Sequence, residues 1–220
     1  MPEVLIQYQT EIMTAIFQTA IMVGVSILAA ILVGLPIGTV LFLTSKGHIL
    51  ENKALYNSFN LLVNIIRSFP FLLLVVFLIP FTRLLVGTAI GTAAACVPLA
   101  IIAIAHYARL VEQSLLEVPR GVIEAAISMG ATVKAIIFKF LYVEARSGLV
   151  LGLTTSTISF ISYSTIMGVV GGGGIGDFAI RYGYQQFKTD LMMYMIIIMI
   201  IFVQLIQIIG TTVARKIDKR

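Results

Sequence analysis

No charged residue occurs between Ile12 and Ser45. At 1.5 Å of rise per residue, such a run makes roughly 50 Å of helix. That is longer than one perpendicular crossing of a ~30 Å hydrocarbon core and too short for two crossings with a turn. In lipid every backbone N–H and C=O must be paired within the structure, so an apolar run of this kind is helical. It predicts one long span, tilted or bent near Gly34-Leu35-Pro36, where proline removes a backbone hydrogen bond and crowds the preceding turn.

The rest of the chain follows the same logic. Of its 220 residues, 59% are hydrophobic and 11% charged, whereas a soluble domain carries roughly 25% charged residues. One aqueous core cannot hide that much apolar surface, so lipid is part of the solvent. The length then accommodates about five crossings in an all-α bundle. Lys46 to Asn57 reads as a polar loop. In the second span Asn57, Asn60, Asn64 and Arg67 recur at three- and four-residue spacing and share one helical face. Ser68-Phe69-Pro70 and the apolar run Phe71 to Phe81 follow. Either this helix starts outside the bilayer and enters near Arg67, or Arg67 lies at membrane depth facing protein or water. A third span is expected from about Leu84 to Ala108, a fourth from Ser147 to Gly168, and a fifth from Leu191 to Ala214. A glycine-rich external loop is expected from Gly168 to Asp190.

Net charge is +5, but the basic residues lie between spans and form no patch with interleaved aromatics, which argues against a nucleic-acid partner. One set of loops holds Lys46, Lys53, Arg109, Arg120, Lys134, Lys139, Arg146, Arg215, Lys216, Lys219 and Arg220, with Arg67 close by; the other holds Arg83, Arg181 and Lys188. The excess of Lys and Arg on cytoplasmic loops places the N-terminus outside and the C-terminus in the cytoplasm. The N-terminus carries Glu3 and Glu11 and no basic segment, unlike a cleaved signal peptide. The single cysteine, Cys96, sits in an apolar run.

The stretch from Arg109 to Arg146 is too long for a simple connector. Pro119 suits a helix start, Gly121 to Ser128 reads as a short helix, and Gly130 is able to end it. A second helix, Ala131 to Val143, leads back into the membrane. The core reads Glu124-Ala125-Ala126, three residues, then Gly130. Small residues let a helix lie close in a partner's groove, and Glu124 offers a charge to a basic group there.

This pattern, with Leu116 to Ile123 before it and Ala131-Thr132 after, resembles the docking loop of bacterial ATP-binding-cassette importer permeases. Arg67-Ser68-Phe69-Pro70-Phe71, Ile79-Pro80-Phe81-Thr82-Arg83, Val86-Gly87-Thr88, Gly171-Gly172-Gly173-Gly174-Ile175-Gly176 and Tyr182-Gly183-Tyr184 are similar to the permeases of methionine uptake systems, from about Leu41 onward. Where such loops continue to a leucine-proline pair, this chain has Tyr142-Val143. The resemblance implies a single transmembrane domain, residues 1–220, of the type I importer permease fold. It would sit in the cell membrane of a bacterium, with Glu124, Ala125, Ala126 and Gly130 docking on an ATPase. The implied assembly is a homodimer with two copies of the ATPase, fed by an extracytoplasmic substrate-binding protein. Two-fold pairing also agrees with the small cross-section of five spans, which leaves little room for a shielded path in one chain.

The end of the fourth span reads Ser162-Tyr163-Ser164-Thr165-Ile166-Met167-Gly168. Hydroxyls here suit a wet path, and Ile166 or Met167 suits apolar closure across a two-fold axis. By resemblance, methionine permeases often show Tyr-Ser-Ala before a methionine; this chain has Thr165-Ile166 instead. Helix packing also uses Ser and Thr at close contacts.

Other chemistries find no residues to carry them. Gly171-x-Gly173-x-x-Gly176 matches a nucleotide-binding pattern, but no strand precedes it. It reads as an external loop, close-packed or flexible, that either touches the binding protein or packs the external mouth. His48 and His106 lack partners at metal-ligand spacing, so no metal site or cofactor is expected. No acid–base or nucleophile motif appears and no Walker sequence, so hydrolysis belongs on a partner subunit and the chain is not itself an enzyme. A secondary transporter or channel is the alternative, but ion-coupled carriers place Asp or Glu within spans. Here all the acids fall in expected loops or at span ends.

Overall fold

The computed structural model describes residues 6–218; Glu3, Lys219 and Arg220, counted above, lie outside them. Among the described residues the regular structure is helical throughout. Helices α1 (Gln9–Ala29) and α2 (Leu35–Thr44) are joined by a π-helical turn, Ala30–Gly34, into one helix of 36 residues, Gln9–Thr44. The Leu35 N–H donates to the Ala30 carbonyl, five residues back. This widening falls just before Pro36, which has no N–H and would otherwise crowd the carbonyl of Leu32. The irregularity expected at Gly34-Leu35-Pro36 therefore takes the form of a widened turn.

The second and third spans depart from expectation. Helix α3 (Lys53–Ser68) and helix α4 (Phe71–Phe77) meet at an angle of 106°. Phe69 is extended, with φ −69° and ψ 131°, because the residue before a proline avoids the helical region. A straight run from Phe71 to Phe81 is not formed; α5 (Ile79–Val86) follows, ended by Gly87 at φ +80°. The third long helix, α6 (Thr92–Leu116), starts later than Leu84 and carries Arg109 inside it rather than at its end. Helix α7 (Arg120–Ser128) and the short α8 (Val133–Ala135) come next. A π-helical turn, Ile136–Leu141, leads from α8 directly into α9 (Tyr142–Val169), so the fourth span begins well before Ser147. The glycine-rich segment is no open loop: it holds α10 (Gly174–Phe178) and a π-helical stretch, Ala179–Gln185. Helix α11 (Thr189–Ile217) ends the described chain.

By length and apolarity three helices suffice to cross a membrane, Gln9–Thr44, Thr92–Leu116 and Thr189–Ile217, and the bent pair α3–α4 raises this to as many as four. Helix α9 carries a run of hydroxyls through its middle. Several of those hydroxyls are paired internally: Thr154, Thr157 and Thr165 donate to the carbonyls of Val150, Leu153 and Ile161, each four residues back.

Helix α6 is the hub. Lipid tails are as apolar as leucine, so membrane helices associate through close packing of small residues. Gly34 and Gly38 form one such face. A Cβ at Gly34 would stand 2.9 Å from the Ile104 carbonyl oxygen, and one at Gly38 would stand 2.6 Å from Val111 Cβ. Gly148 and Gly152 of α9 approach an adjacent face of α6 at Ser114, Leu110 and Tyr107. The Tyr107 hydroxyl donates to the Leu149 carbonyl at 3.2 Å, and the hydroxyls of Thr39 and Tyr142 pair at 2.7 Å. Helix α11 closes on α9 at Gly210, where a Cβ would stand 2.8 Å from Thr154 Cβ.

Gly38→Val is expected to force these helices apart and lower the thermal midpoint in detergent, at an overpacking cost of roughly 1–3 kcal/mol. Gly24→Ala, with nothing within 4 Å of the added Cβ, is expected to leave the midpoint unchanged or raise it by up to about 1 kcal/mol equivalent.

Candidate functional site

Three surfaces carry the residues singled out by sequence. The first is α7. Pro119 stands at its N-cap, and its C-terminus closes through Gly130 at φ +74°. There the Gly130 N–H donates to the Ile127 carbonyl and the Ala131 N–H to the Ala126 carbonyl, both near 3 Å. This paired closure needs a left-handed residue at Gly130, which glycine adopts without penalty. Ile123 and Ala126 turn inward and share a core with Ile136 and Leu141. Glu124, Ala125, Ile127 and Met129 stay exposed. Of the four expected docking residues, Glu124, Ala125 and Gly130 thus face outward and Ala126 anchors the helix from beneath.

Beside α7 lies a cleft of about 270 Å³, lined by Gly47, His48, Ile49, Arg120, Ile123, Glu124 and Ile127. The His48 ring lies 4.2 Å from that of Phe42. Burial, and then the Arg120 guanidinium, push its pKa below the ordinary imidazole value, which favours the neutral ring.

The second surface is the polar face of α3. Arg109 Nη2 donates to Asn60 Oδ1 at 2.6 Å and to Asn64 Oδ1 at 2.8 Å, and Nη1 pairs with the buried Glu112. Sequence reading found Asn60 and Asn64 but treated Arg109 as a loop marker. The Arg109-x-x-Glu112 spacing, which puts both charges on one helical face, is the signal that was available. Asn57 and Arg67 are exposed on the same face of α3.

The third surface is the C-terminal half of α9. Tyr163 stacks on Phe71, with centroids 4.6 Å apart. Ser164 is buried and donates to the Ile161 carbonyl at 2.7 Å. Met167 is buried in a cluster with Met22, Leu99 and Leu74, and Ile166 packs at its edge. Thr155, Ser159, Ser162 and Ile166 recur at i, i+4, i+7 and i+11, one face of the helix. Thr155 and Ser162 are exposed, while Ser159 and Ile166 are half-buried. A hydroxyl stripe therefore runs along α9 and ends on Ile166.

The glycine-rich segment is close-packed. A Cβ at Gly176 would stand 2.5 Å from Thr165 Cα, and one at Gly172 would stand 2.8 Å from the Met167 carbonyl. Gln18 Oε1 and Thr19 Oγ1 of α1 accept from the Gly174 and Ile175 N–H groups at 2.8 and 2.9 Å. These two bonds tie the segment to the first span. Among the described residues no three or more His, Cys, Asp or Glu side chains gather at metal-binding distance.

Residues 31–220 match the family of binding-protein-dependent transport system inner membrane components. The chain is 46% identical over 209 residues to a probable D-methionine transport system permease protein, MetI, of Vibrio cholerae, covering 95% of this chain and 93% of that one. It is 46% identical over 180 residues to the methionine import system permease protein MetP of Bacillus subtilis, covering 82% and 81%. A solved structure of inward-facing conformations of the MetNI methionine ABC transporter superposes with a TM-score of 0.94 at 40% identity, covering 97% of this chain and 99% of its counterpart. A crystal structure of an amino acid ABC transporter with histidines shares the fold, with a TM-score of 0.78 at 19% identity over 96% of each chain.

Removing one member of a buried ion pair strands the other. Glu112→Ala is expected to cost roughly 3–5 kcal/mol, read as a fall in thermal midpoint, with Arg109→Met/Glu112→Leu recovering most of it. An unchanged midpoint in Glu112→Ala would show that the pair is dispensable.

Proposed function

This chain belongs to the family of binding-protein-dependent transport system inner membrane components, and from that premise we propose that it moves methionine into the cytoplasm. It is the membrane-spanning permease of an ATP-binding-cassette importer, not a secondary transporter or channel. The observation that carries the methionine reading is the likeness of nearly the whole chain, in sequence and in fold, to the methionine permeases named above.

In this reading two copies of the chain pair about a two-fold axis, bind two copies of an ATPase and receive cargo from an extracytoplasmic binding protein. The N-terminus lies outside and the C-terminus in the cytoplasm. The chain spends no ATP itself; hydrolysis on the partner moves α7. Three features support α7 as the docking helix: the exposed Glu124 and Ala125, the flanking apolar Ile127 and Met129, and the cleft beside them. A partner side chain entering that cleft meets Glu124 and Arg120. Motion of α7 reaches the membrane through the core that Ile123 and Ala126 share with Ile136 and Leu141, where α9 begins.

The gate sits at the outer end of α9. The hydroxyl stripe supplies a wet surface, and Ile166 ends it with an apolar side chain suited to contact across the two-fold axis. Tyr163 borders it, and Ser164 and Met167 back it from within the protomer.

The reading is tested in proteoliposomes holding the permease, its ATPase and its binding protein. ATP-driven accumulation of radiolabelled methionine is expected, and no accumulation of methionine with uptake of a different amino acid would overturn it. Glu124→Lys is expected to lower recovery of the ATPase on the tagged permease and to cut uptake about tenfold, equivalent to about 1.4 kcal/mol. Full recovery and uptake would remove α7 from the docking surface. In the same vesicles without ATP, Ile166→Gly is expected to release trapped methionine faster than wild type, whereas wild-type tightness in both Ile166→Gly and Met167→Gly would remove these residues from the gate.

A further inference from the structure

Helix α3 presents three faces, separated by the 100° step of an α-helix. Tyr56, Phe59, Val63 and Ile66 pack on Leu41, Ala105 and Ala108. Leu61, Leu62 and Ile65 are exposed apolar side chains, suited to lipid. Between them runs the polar face of Asn57, Asn60, Asn64 and Arg67. Asn60 and Asn64 of that face are held by Arg109 of α6, while Asn57 and Arg67 stay exposed and, as polar groups, turn toward water or the neighbouring subunit.

Charge on that face is unbalanced. Glu112 is committed to Arg109, whose other terminal nitrogen is held by Asn60 and Asn64. No carboxylate among the described residues pairs with Arg67. Arg67 lies one turn beyond Asn64 at the elbow between α3 and α4, where the chain turns through 106°. It is within electrostatic reach of Arg109, Glu112 and Tyr163. Tyr163 stands beside the hydroxyl stripe of α9 and stacks on Phe71, on the far side of the same elbow. Arg67 is thus a guanidinium with no ion-pair partner among the described residues, bordering the surface already assigned to the path.

We propose that Arg67 is a cargo-binding residue, its guanidinium receiving the carboxylate of the amino acid in transit while the Arg109–Glu112 pair, braced by Asn60 and Asn64, keeps Glu112 from competing. A guanidinium offers two parallel N–H donors to a carboxylate, a match that a lysine ammonium reproduces only as a point charge. The site need not be tight, since a separate binding protein selects the cargo and tight binding would slow release.

This inference rests on the methionine reading, and the test separates the two. Saturation-transfer NMR is run on the detergent-solubilised permease–ATPase complex without binding protein. Methionine and N-acetylmethionine, which keep the carboxylate, are expected to give signal; methionine amide, which lacks it, is not. Arg67→Gln is expected to abolish the methionine signal and to lower methionine moved per ATP hydrolysed about tenfold, with Arg67→Lys intermediate and both variants still recovered with the ATPase. If wild type fails to transport methionine, the functional reading fails. If wild type transports it and Arg67→Gln matches wild type in both assays, the carboxylate site is overturned. Equal signal from methionine amide would also overturn it. So would a transport defect in Arg67→Gln that appears only in vesicles containing anionic lipid, because Arg67 would then be holding a lipid phosphate.

Discussion

Close approach of backbones around α6 is the constraint on which the other helices depend. Within lipid no hydrophobic force draws one apolar helix to another, so contact must come from packing at short range and from hydrogen bonds. Gly34 and Gly38 provide that contact on one face of α6, and Gly148 and Gly152 on the adjacent one. Each pair is spaced by four residues, which puts both glycines on one face of their helix. With α6 held from two directions, the first span and α9 have fixed positions, and α11 then closes on α9 at Gly210. The end of the bundle that holds the glycine-rich segment is fastened differently. There Gln18 and Thr19 accept from the backbone of that segment, so it is tied to the first span by hydrogen bonds.

How far sequence revealed this arrangement depended on what each segment's residues were being asked to signal. Helix α7 was legible because Pro119 and Gly130 bracket it and act locally: one starts a helix and the other supplies the left-handed residue that ends it. The long first helix was legible from its uncharged run. The second span was not, since the apolar run after Pro70 looks the same whether the chain goes straight or turns. Hydropathy counts side chains and is blind to a backbone elbow; Phe69 and Pro70 decide the matter through φ and ψ. Helix α9 posed the opposite problem. Its hydroxyls lower its apolarity, yet those of Thr154, Thr157 and Thr165 bond to the helix's own carbonyls, and Ser156 alone is a buried hydroxyl without a partner among the described residues. A chain of threonines and serines reads as polar by composition while behaving as small packing residues once the bonds are made.

Arg109 marks the limit of reading charge as topology. Counting basic residues by loop assigns every arginine to a boundary, a rule that holds on average because an unpaired charge in lipid is costly. Arg109 lies inside a helix rather than at its end, and its charge is met within the protein by Glu112, one turn along the same helix, and by the amide oxygens of Asn60 and Asn64 on α3. The asparagines were recognisable as a polar face, but what the face served could be seen only once α3 was laid against α6. A pairing between helices is a tertiary fact, and residues 45 and 49 apart in sequence leave no local trace of it.

The same geometry couples one short helix to a distant surface. Helix α7 does not hang free: Ile123 and Ala126 are buried in a core with Ile136 and Leu141, and the π-helical turn Ile136–Leu141 runs without interruption into α9. A rigid displacement of α7 therefore moves the start of the helix whose far end carries Tyr163, Ile166 and Met167. The α6 contacts at Gly148 and Gly152 lie between those ends and leave α9 little freedom to slide along its axis, since a Cβ at Gly152 would already stand 3.3 Å from Leu110 Cβ. A pivot about that tight crossing would carry the C-terminal half of α9 against Phe71 and the elbow of α3 and α4. The elbow sits opposite Tyr163, and because it is already bent at Pro70, it can follow such a swing by changing angle without breaking any helical hydrogen bond.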